Sequence, residues 1–187
     1  MTRRILARLT ALSFLSILPV VFSPALAALD IGDPVPKFTA TAALDGKTFS
    51  YSLADALKKG PVVVYFFPAA GTQDCNIEAH AFAEAMAAFE AVGASVIGVS
   101  ADDIDTLKDF SVKQCQSKFP VASDQAKTVI EGFDAVMQTR PDFANRLSYV
   151  VSPNGTVAYY YQNLNPDKHV ERMLNAVKAL PKPGASR

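Results

Sequence analysis

Two cysteines, two histidines and a formal charge of zero set the first limits on this 187-residue chain. A zero balance offers no bulk attraction for nucleic acid or for an anionic membrane surface. The cysteines (Cys75 and Cys115) and histidines (His80 and His169) are scattered without ligand spacing, so no metal site is expected. The sequence also lacks internal repeats, linkers and long polar tracts. Its longest apolar run, residues 9–22, falls short of the ~20 residues that a membrane span requires. What remains is a chain that is 50% hydrophobic, enough for one domain with a real core.

The first 27 residues read as a signal peptide. Arg3, Arg4 and Arg8 form a basic start, and Phe14, Leu15, Ile17 and Leu18 lie in the apolar run. Ser23-Pro24 breaks that run, and Ala25-Leu26-Ala27 places small residues at −3 and −1 of a cleavage site. The expectation is export, to the periplasm, with a soluble domain over 28–187. Thr2-Arg3-Arg4-Ile5-Leu6 resembles a twin-arginine signal, but arginine pairs are common there, and the Sec-type reading is favoured. The competing reading is a retained N-terminal anchor. Without these 27 residues, 15 basic and 18 acidic residues give a mildly acidic, ordinary surface.

Along the rest of the chain, residues 30–36 are rich in turn formers. A short edge strand is expected over 38–42, a turn at Asp45-Gly46-Lys47, a return strand over 48–51, and a short helix ending at Gly60. Residues 61–67 are β-branched and aromatic without polar alternation, the pattern of a central strand buried on both faces. Apolar residues then recur at helical spacing from Cys75 to Val92, and Gly93 ends that helix. Residues 95–100 form a second buried strand. Asp102-Asp103 caps a helix running to about Gln116, residues 119–122 are extended, and Ser123-Asp124 starts another helical turn. Residues 147–151 and 156–161 flank the turn Ser152-Pro153-Asn154-Gly155 as a hairpin. Asn165-Pro166-Asp167 opens a last helix with an apolar stripe through Val170, Met173, Leu174, Val177 and Leu180. Parallel crossovers followed by a hairpin and a helix predict an α/β sandwich, with ligands near the carboxyl ends of the strands.

Cys75 stands just past such a strand end, at the start of a helix. Unpaired backbone N–H groups and the helix dipole favour a thiolate there. Pro68, Thr72 and Cys75 have the spacing P-x-x-x-T-x-x-C, which resembles the peroxidatic motif of peroxiredoxins. From about Ile31 to Leu180 the chain is similar to their bacterioferritin-comigratory (Q-type) branch. The similarity includes Glu78-Ala79-His80-Ala81-Phe82, residues 93–100, residues 119–124 and Arg146-Leu147-Ser148-Tyr149-Val150-Val151. The resemblance implies a single-domain thioredoxin-like fold, a mixed sheet flanked by helices, and a thiol peroxidase that needs no metal or organic cofactor. In that reading Cys75 attacks a peroxide oxygen and becomes a sulfenic acid while water or an alcohol leaves. Thr72 would hydrogen-bond the thiolate and the peroxide, Pro68 would shield the pocket, and Arg146 would stabilise the thiolate and orient the oxygens. The implied partners are hydrogen peroxide or an organic hydroperoxide and a thioredoxin-like or other thiol reductant. The implied assembly is a monomer or a homodimer.

Three residues depart from the family pattern. His80 stands where Q-type relatives often carry a resolving cysteine, and it also reads as a partly exposed polar helix residue. Asp74 places a carboxylate next to Cys75, which opposes a thiolate unless it points to solvent. Cys115 lies near the end of the next helix, past Ser111, where resolving cysteines of that helix are more usual. Cys115 is expected on the edge of the helix face defined by Ile104, Leu107 and Phe110, near Ile104. It resolves Cys75 from there, or else it is a buried apolar residue of a one-cysteine enzyme. Two other readings stay open: a non-catalytic thioredoxin-like module with a Cys75–Cys115 disulfide, and a thiol–disulfide oxidoreductase of the periplasm. The second lacks its C-x-x-C, since Thr72 and Glu78 flank Cys75 at three residues.

Overall fold

A computed structural model describes residues 28–181; the expected leader, 1–27, lies outside them. Strand β1 (Thr39–Leu44) turns through Asp45 and Gly46 into β2 (Lys47–Ser52), and helix α1 (Leu53–Leu57) follows. The chain then crosses the molecule as β3 (Val62–Phe66), α2 (Gln73–Ala91), β4 (Ser95–Ser100), α3 (Ile104–Lys113) and β5 (Val121–Ser123). Short helix α4 (Thr128–Gly132) precedes the hairpin β6 (Leu147–Val151) and β7 (Val157–Gln162). A 3₁₀ turn (Pro166–Lys168) leads into α5 (His169–Ala179).

The seven strands form one mixed sheet in the order β2-β1-β5-β4-β3-β6-β7. Strands β3, β4 and β5 run parallel, and β6 runs antiparallel to β3 with Val62 opposite Val151 and Phe66 opposite Leu147. Every residue of β3 is buried, as its unbroken apolar run predicts. Because side chains alternate along a strand, Val63 and Tyr65 enter one core while Val62, Val64 and Phe66 enter the other. The first core holds Phe82 and Phe89 of α2, Leu107 and Phe110 of α3, and Met173 and Val177 of α5. The second packs Leu53, Leu57, Ile130 and Phe133 on the opposite face.

Aromatic stacking organises the first core. The Tyr65 ring lies 4.5 Å from Phe82 and 5.5 Å from Phe67, with Phe119 edge-on at 5.9 Å. Gly98 on the neighbouring strand makes this possible, since a β-carbon there would sit 2.8 Å from the Tyr65 ring.

Three expectations need correction. The strand expected at an edge, β1, is interior, paired with β2 on one side and β5 on the other; β2 is the edge. Asp124 does not start a helix. Its carboxylate accepts from the N–H groups of Val129 and Ile130, both at 2.8 Å, and caps α4 from four residues upstream. Helix α3 ends at Lys113, short of Gln116, because Gln116 and Ser117 take left-handed φ values of 50° and 55°. Cys115 therefore leaves the helix face altogether. It sits in the turn, with its N–H on Phe110 O, and its side chain is fully buried in the first core.

Candidate active site

The site is built where β3 ends. After Phe67, whose N–H bonds Val99 O, the chain leaves the sheet through Pro68, Ala69, Ala70 and Gly71. Gly71 takes a φ of 83°, which turns the backbone into α2. Asp102 anchors this loop: its Oδ2 accepts from Ala70 N–H and from the Ser100 hydroxyl, each at 2.8 Å. Thr72 is the N-cap residue of α2, yet its side chain makes no cap bond. Its hydroxyl donates to Ala69 O at 2.9 Å instead of reaching Cys75, which differs from the role expected for it. Cys75 is the third residue of α2, with 1% of its surface exposed.

Arg146 approaches from the opposite direction. It lies one residue before β6, and the pairing of Leu147 with Phe66 puts it beside the strand end from which the cysteine loop departs. Arg146 is 3% exposed, and its guanidinium engages three partners. Nε donates to Leu164 O at 2.8 Å, Nη1 donates to Glu78 Oε2, and Nη2 donates to Cys75 Sγ at 3.4 Å. Burial works against its charge, but Glu78 and Cys75 outweigh burial and hold the group above its ordinary value. The backbone of β6 and the Leu164 carbonyl thus fix the fork in one orientation.

Glu78 and His169 complete the cluster, and the sequence reading gave neither a role. Both have no exposed surface. Glu78 lies one turn after Cys75 on the same face of α2, and burial pushes its carboxyl up to about 8 even though Arg146 opposes the shift. His169 opens α5, and burial pulls it down to about 4. Its Nδ1 lies 3.4 Å from Glu78 Oε1 and 2.8 Å from Ser148 Oγ, and its Nε2 lies 2.9 Å from Asn163 O.

The other candidates lie farther out. Pro68 is half-buried in the loop, and Asp74 is exposed in the first turn of α2. His80 is half-buried and its Nδ1 donates to Asn76 O at 2.9 Å. Cys115 is free, as is Cys75, and burial pushes its thiol well above the ordinary range. Among the described residues no group of His, Cys, Asp and Glu could hold a metal ion, and no helix is long and apolar enough to cross a membrane.

A buried cysteine at a helix N-terminus, held by an arginine from an antiparallel neighbouring strand, on a thioredoxin-like sheet, defines a class, and comparison with known proteins agrees. The family model described as the AhpC/TSA family matches residues 31–160, so the chain belongs to that family, the peroxiredoxins. Chloroplastic peroxiredoxin Q from Oryza sativa subsp. japonica is 35% identical over 150 residues, covering 80% of this chain and 67% of the rice protein. Chloroplastic peroxiredoxin Q from Sedum lineare is 32% identical over 150 residues, covering 80% of this chain and 78% of that one. Among solved structures, peroxidoxin BcpB from Mycobacterium tuberculosis superposes with a TM-score of 0.73 at 26% identity, over 81% of this chain and 97% of that chain. A PrxQ variant from Xylella fastidiosa has a TM-score of 0.73 at 24% identity, over 82% and 98% of the two chains, and supports the fold. Within the family this is a Q-type peroxiredoxin, a thiol-dependent peroxidase. A permanent-disulfide binding module is not favoured.

Proposed function

We propose that Cys75 is the peroxidatic nucleophile and that Arg146, Thr72 and Pro68 shape its pocket. The observation that carries the reading is the Arg146 Nη2 contact with Cys75 Sγ at 3.4 Å, between two buried residues. The sulfur attacks the near peroxide oxygen, the O–O bond breaks, and the far oxygen leaves as water or alcohol after taking a proton. Arg146 and the first N–H groups of α2 stabilise the charge that develops on the two oxygens. Thr72 spends its proton on Ala69 O, which leaves its oxygen free to accept from a peroxide O–H. Thr72 is exposed while Glu78 is sealed, so peroxide enters on the Thr72 side, past Pro68.

In this reading Cys115 resolves the sulfenate in the same chain, and the turn at residues 114–118 must open before the disulfide can form. A thioredoxin-like or other thiol reductant then restores both thiols. Every group of the site comes from one chain, so a monomer or a homodimer suffices. We also propose export to the periplasm, with Ala25-Leu26-Ala27 as its support. The decisive experiment is Cys75→Ser, which abolishes peroxide consumption; wild-type turnover in that variant would overturn the reading.

A further inference from the structure

The cluster behind Cys75 is one proton short of satisfying its own hydrogen bonds. Asn163 O can only accept, so His169 Nε2 must carry a hydrogen and donate to it. In a neutral ring, Nδ1 is then a lone pair, able to accept from the Ser148 hydroxyl at 2.8 Å. Glu78 Oε2 is occupied by Arg146, whereas Oε1 is buried without a hydrogen-bond partner. The two acceptors, Nδ1 and Oε1, face each other at 3.4 Å with no exposed surface on either residue. Two lone pairs enclosed in this way repel each other, and an unpaired buried acceptor is costly. A single proton removes both defects: on Oε1 it is donated to Nδ1, whose one lone pair Ser148 then releases, and on Nδ1 it is shared between Oε1 and Ser148 Oγ.

We propose that Glu78 and His169 hold one shared proton in the resting enzyme, and that this proton frees the Arg146 charge to stabilise the Cys75 thiolate. His169 is thereby a positioning residue, acting on the sulfur through Glu78 and Arg146. The proposal rests on the assignment of Cys75 as the nucleophile. With the proton present, the Glu78–His169 pair is neutral, and the guanidinium charge is directed at Sγ. Without it, the ionised Glu78 neutralises Arg146, and the thiolate loses its counter-charge. The converse also holds: a thiolate near Glu78 strengthens the pair's hold on its proton, because it adds a second negative charge.

The surroundings are consistent with this. Burial favours the neutral form of both residues, raising Glu78 to about 8 and lowering His169 to about 4, so a proton stays on the pair at neutral pH. Cys75 and Arg146 face the pair directly. Exposed Asp74 on α2 adds negative charge that favours protonation of Glu78. The Tyr65 hydroxyl from β3 is buried and held in its neutral form. Tyr161 of β7 stands edge-on, 4.8 Å from the imidazole, with the Arg172 guanidinium 5.8 Å from its ring.

The test combines spectroscopy and kinetics on the full domain. The carbon-13 shift of the Glu78 carboxyl and the nitrogen-15 shifts of His169 are followed in the reduced protein from acid to alkaline pH. The expected result is a carboxylic acid beside a neutral ring, or a carboxylate beside a doubly protonated ring, persisting to about pH 8. A carboxylate beside a neutral ring at pH 7 overturns the proposal. In Cys75→Ser the same transition moves to lower pH, because the thiolate charge is gone; an unmoved transition overturns the coupling. The rate with hydrogen peroxide should fall on an alkaline limb near the same pH. His169→Asn moves that limb down by about one pH unit or more, and Glu78→Gln, permanently uncharged, abolishes it. A lower melting temperature in either variant with an unchanged limb assigns His169 a structural role only. If peroxide turnover survives Cys75→Ser, the nucleophile assignment falls, whereas the two NMR titrations of the wild-type protein still decide where the proton lies.

Discussion

Arg146→Met separates the electrostatic role of the guanidinium from its packing, since methionine keeps much of the apolar stem. The substitution removes three donors from Leu164 O, Glu78 Oε2 and Cys75 Sγ. Losing one preorganised donor to a reacting centre costs about 10²–10³ in rate, or about 3–4 kcal/mol. Stopped-flow reduction of hydrogen peroxide at pH 7 should therefore show a loss of at least that size. Stability follows a different course. Breaking a buried ion pair usually costs about 3–5 kcal/mol because a charge is stranded, but Glu78 escapes this by keeping its proton. A carboxyl held above its unfolded value contributes stability that is fully present below about 4.5 and is lost as pH rises through its folded value, about 8 in the wild type. Without Arg146, which lowers that value, the folded carboxyl keeps its proton to a higher pH. The wild-type penalty levels off above pH 8, while the variant's grows by about 1.4 kcal/mol per further pH unit. Urea unfolding at pH 7 and pH 9 should show the gap between the two proteins widening. A variant within threefold of the wild-type rate, or with an equal stability gap at both pH values, would refute the reasoning. Arg146→Lys is the companion control: it keeps the charge, but one ammonium cannot serve three partners, so the rate loss remains large.

Three further outcomes are expected. One equivalent of peroxide should give a monomer two hydrogens lighter with both thiols blocked, formed faster in mild denaturant as the Cys115 turn opens; a product one oxygen heavier with Cys115 still alkylatable shows a one-cysteine enzyme. Gly98→Ala should cost about 1–3 kcal/mol in urea unfolding, because the new methyl overlaps a Tyr65 ring that its neighbours hold in place; an unchanged midpoint would mean that the strands can separate. Mass analysis of the exported protein should find Ala28 at its N-terminus, and full-length chain in the membrane fraction would argue for a retained anchor.

The parts of this architecture that depend on local sequence were readable in advance. The unbroken run in β3, the Asp103 cap of α3 and the Ser152–Gly155 turn each reflect forces acting within a few residues, and each lies where expected. Cys75 was legible from its place after a strand, and Arg146 from family resemblance. The half of the site that was missed depends on contacts far along the chain. Glu78 looks like an ordinary solvent-facing acid, and its burial is decided by Arg146, 68 residues away. A signal existed nonetheless: Glu78 shares a helical stripe with Phe82, Met86 and Phe89, all buried. His169 likewise falls in line with Met173 and Val177 on α5. A polar residue on an apolar stripe marks a buried partner elsewhere. The place of Cys115 was misjudged because two left-handed residues without glycine stop α3 early, which propensity does not announce.

The register that sets Arg146 beside the end of β3 also orders events in time. Cys75 and Arg146 are separated by 71 residues, and β6 is the sixth of seven strands to leave the ribosome. On the proposed mechanism, until that strand docks against β3, Cys75 lacks the Arg146 counter-charge and is slow toward peroxide. Reactivity therefore arrives with the completed fold. On that mechanism, a chain still being synthesised carries a cysteine that is chemically quiet, and peroxide sensitivity becomes a direct reporter of folding.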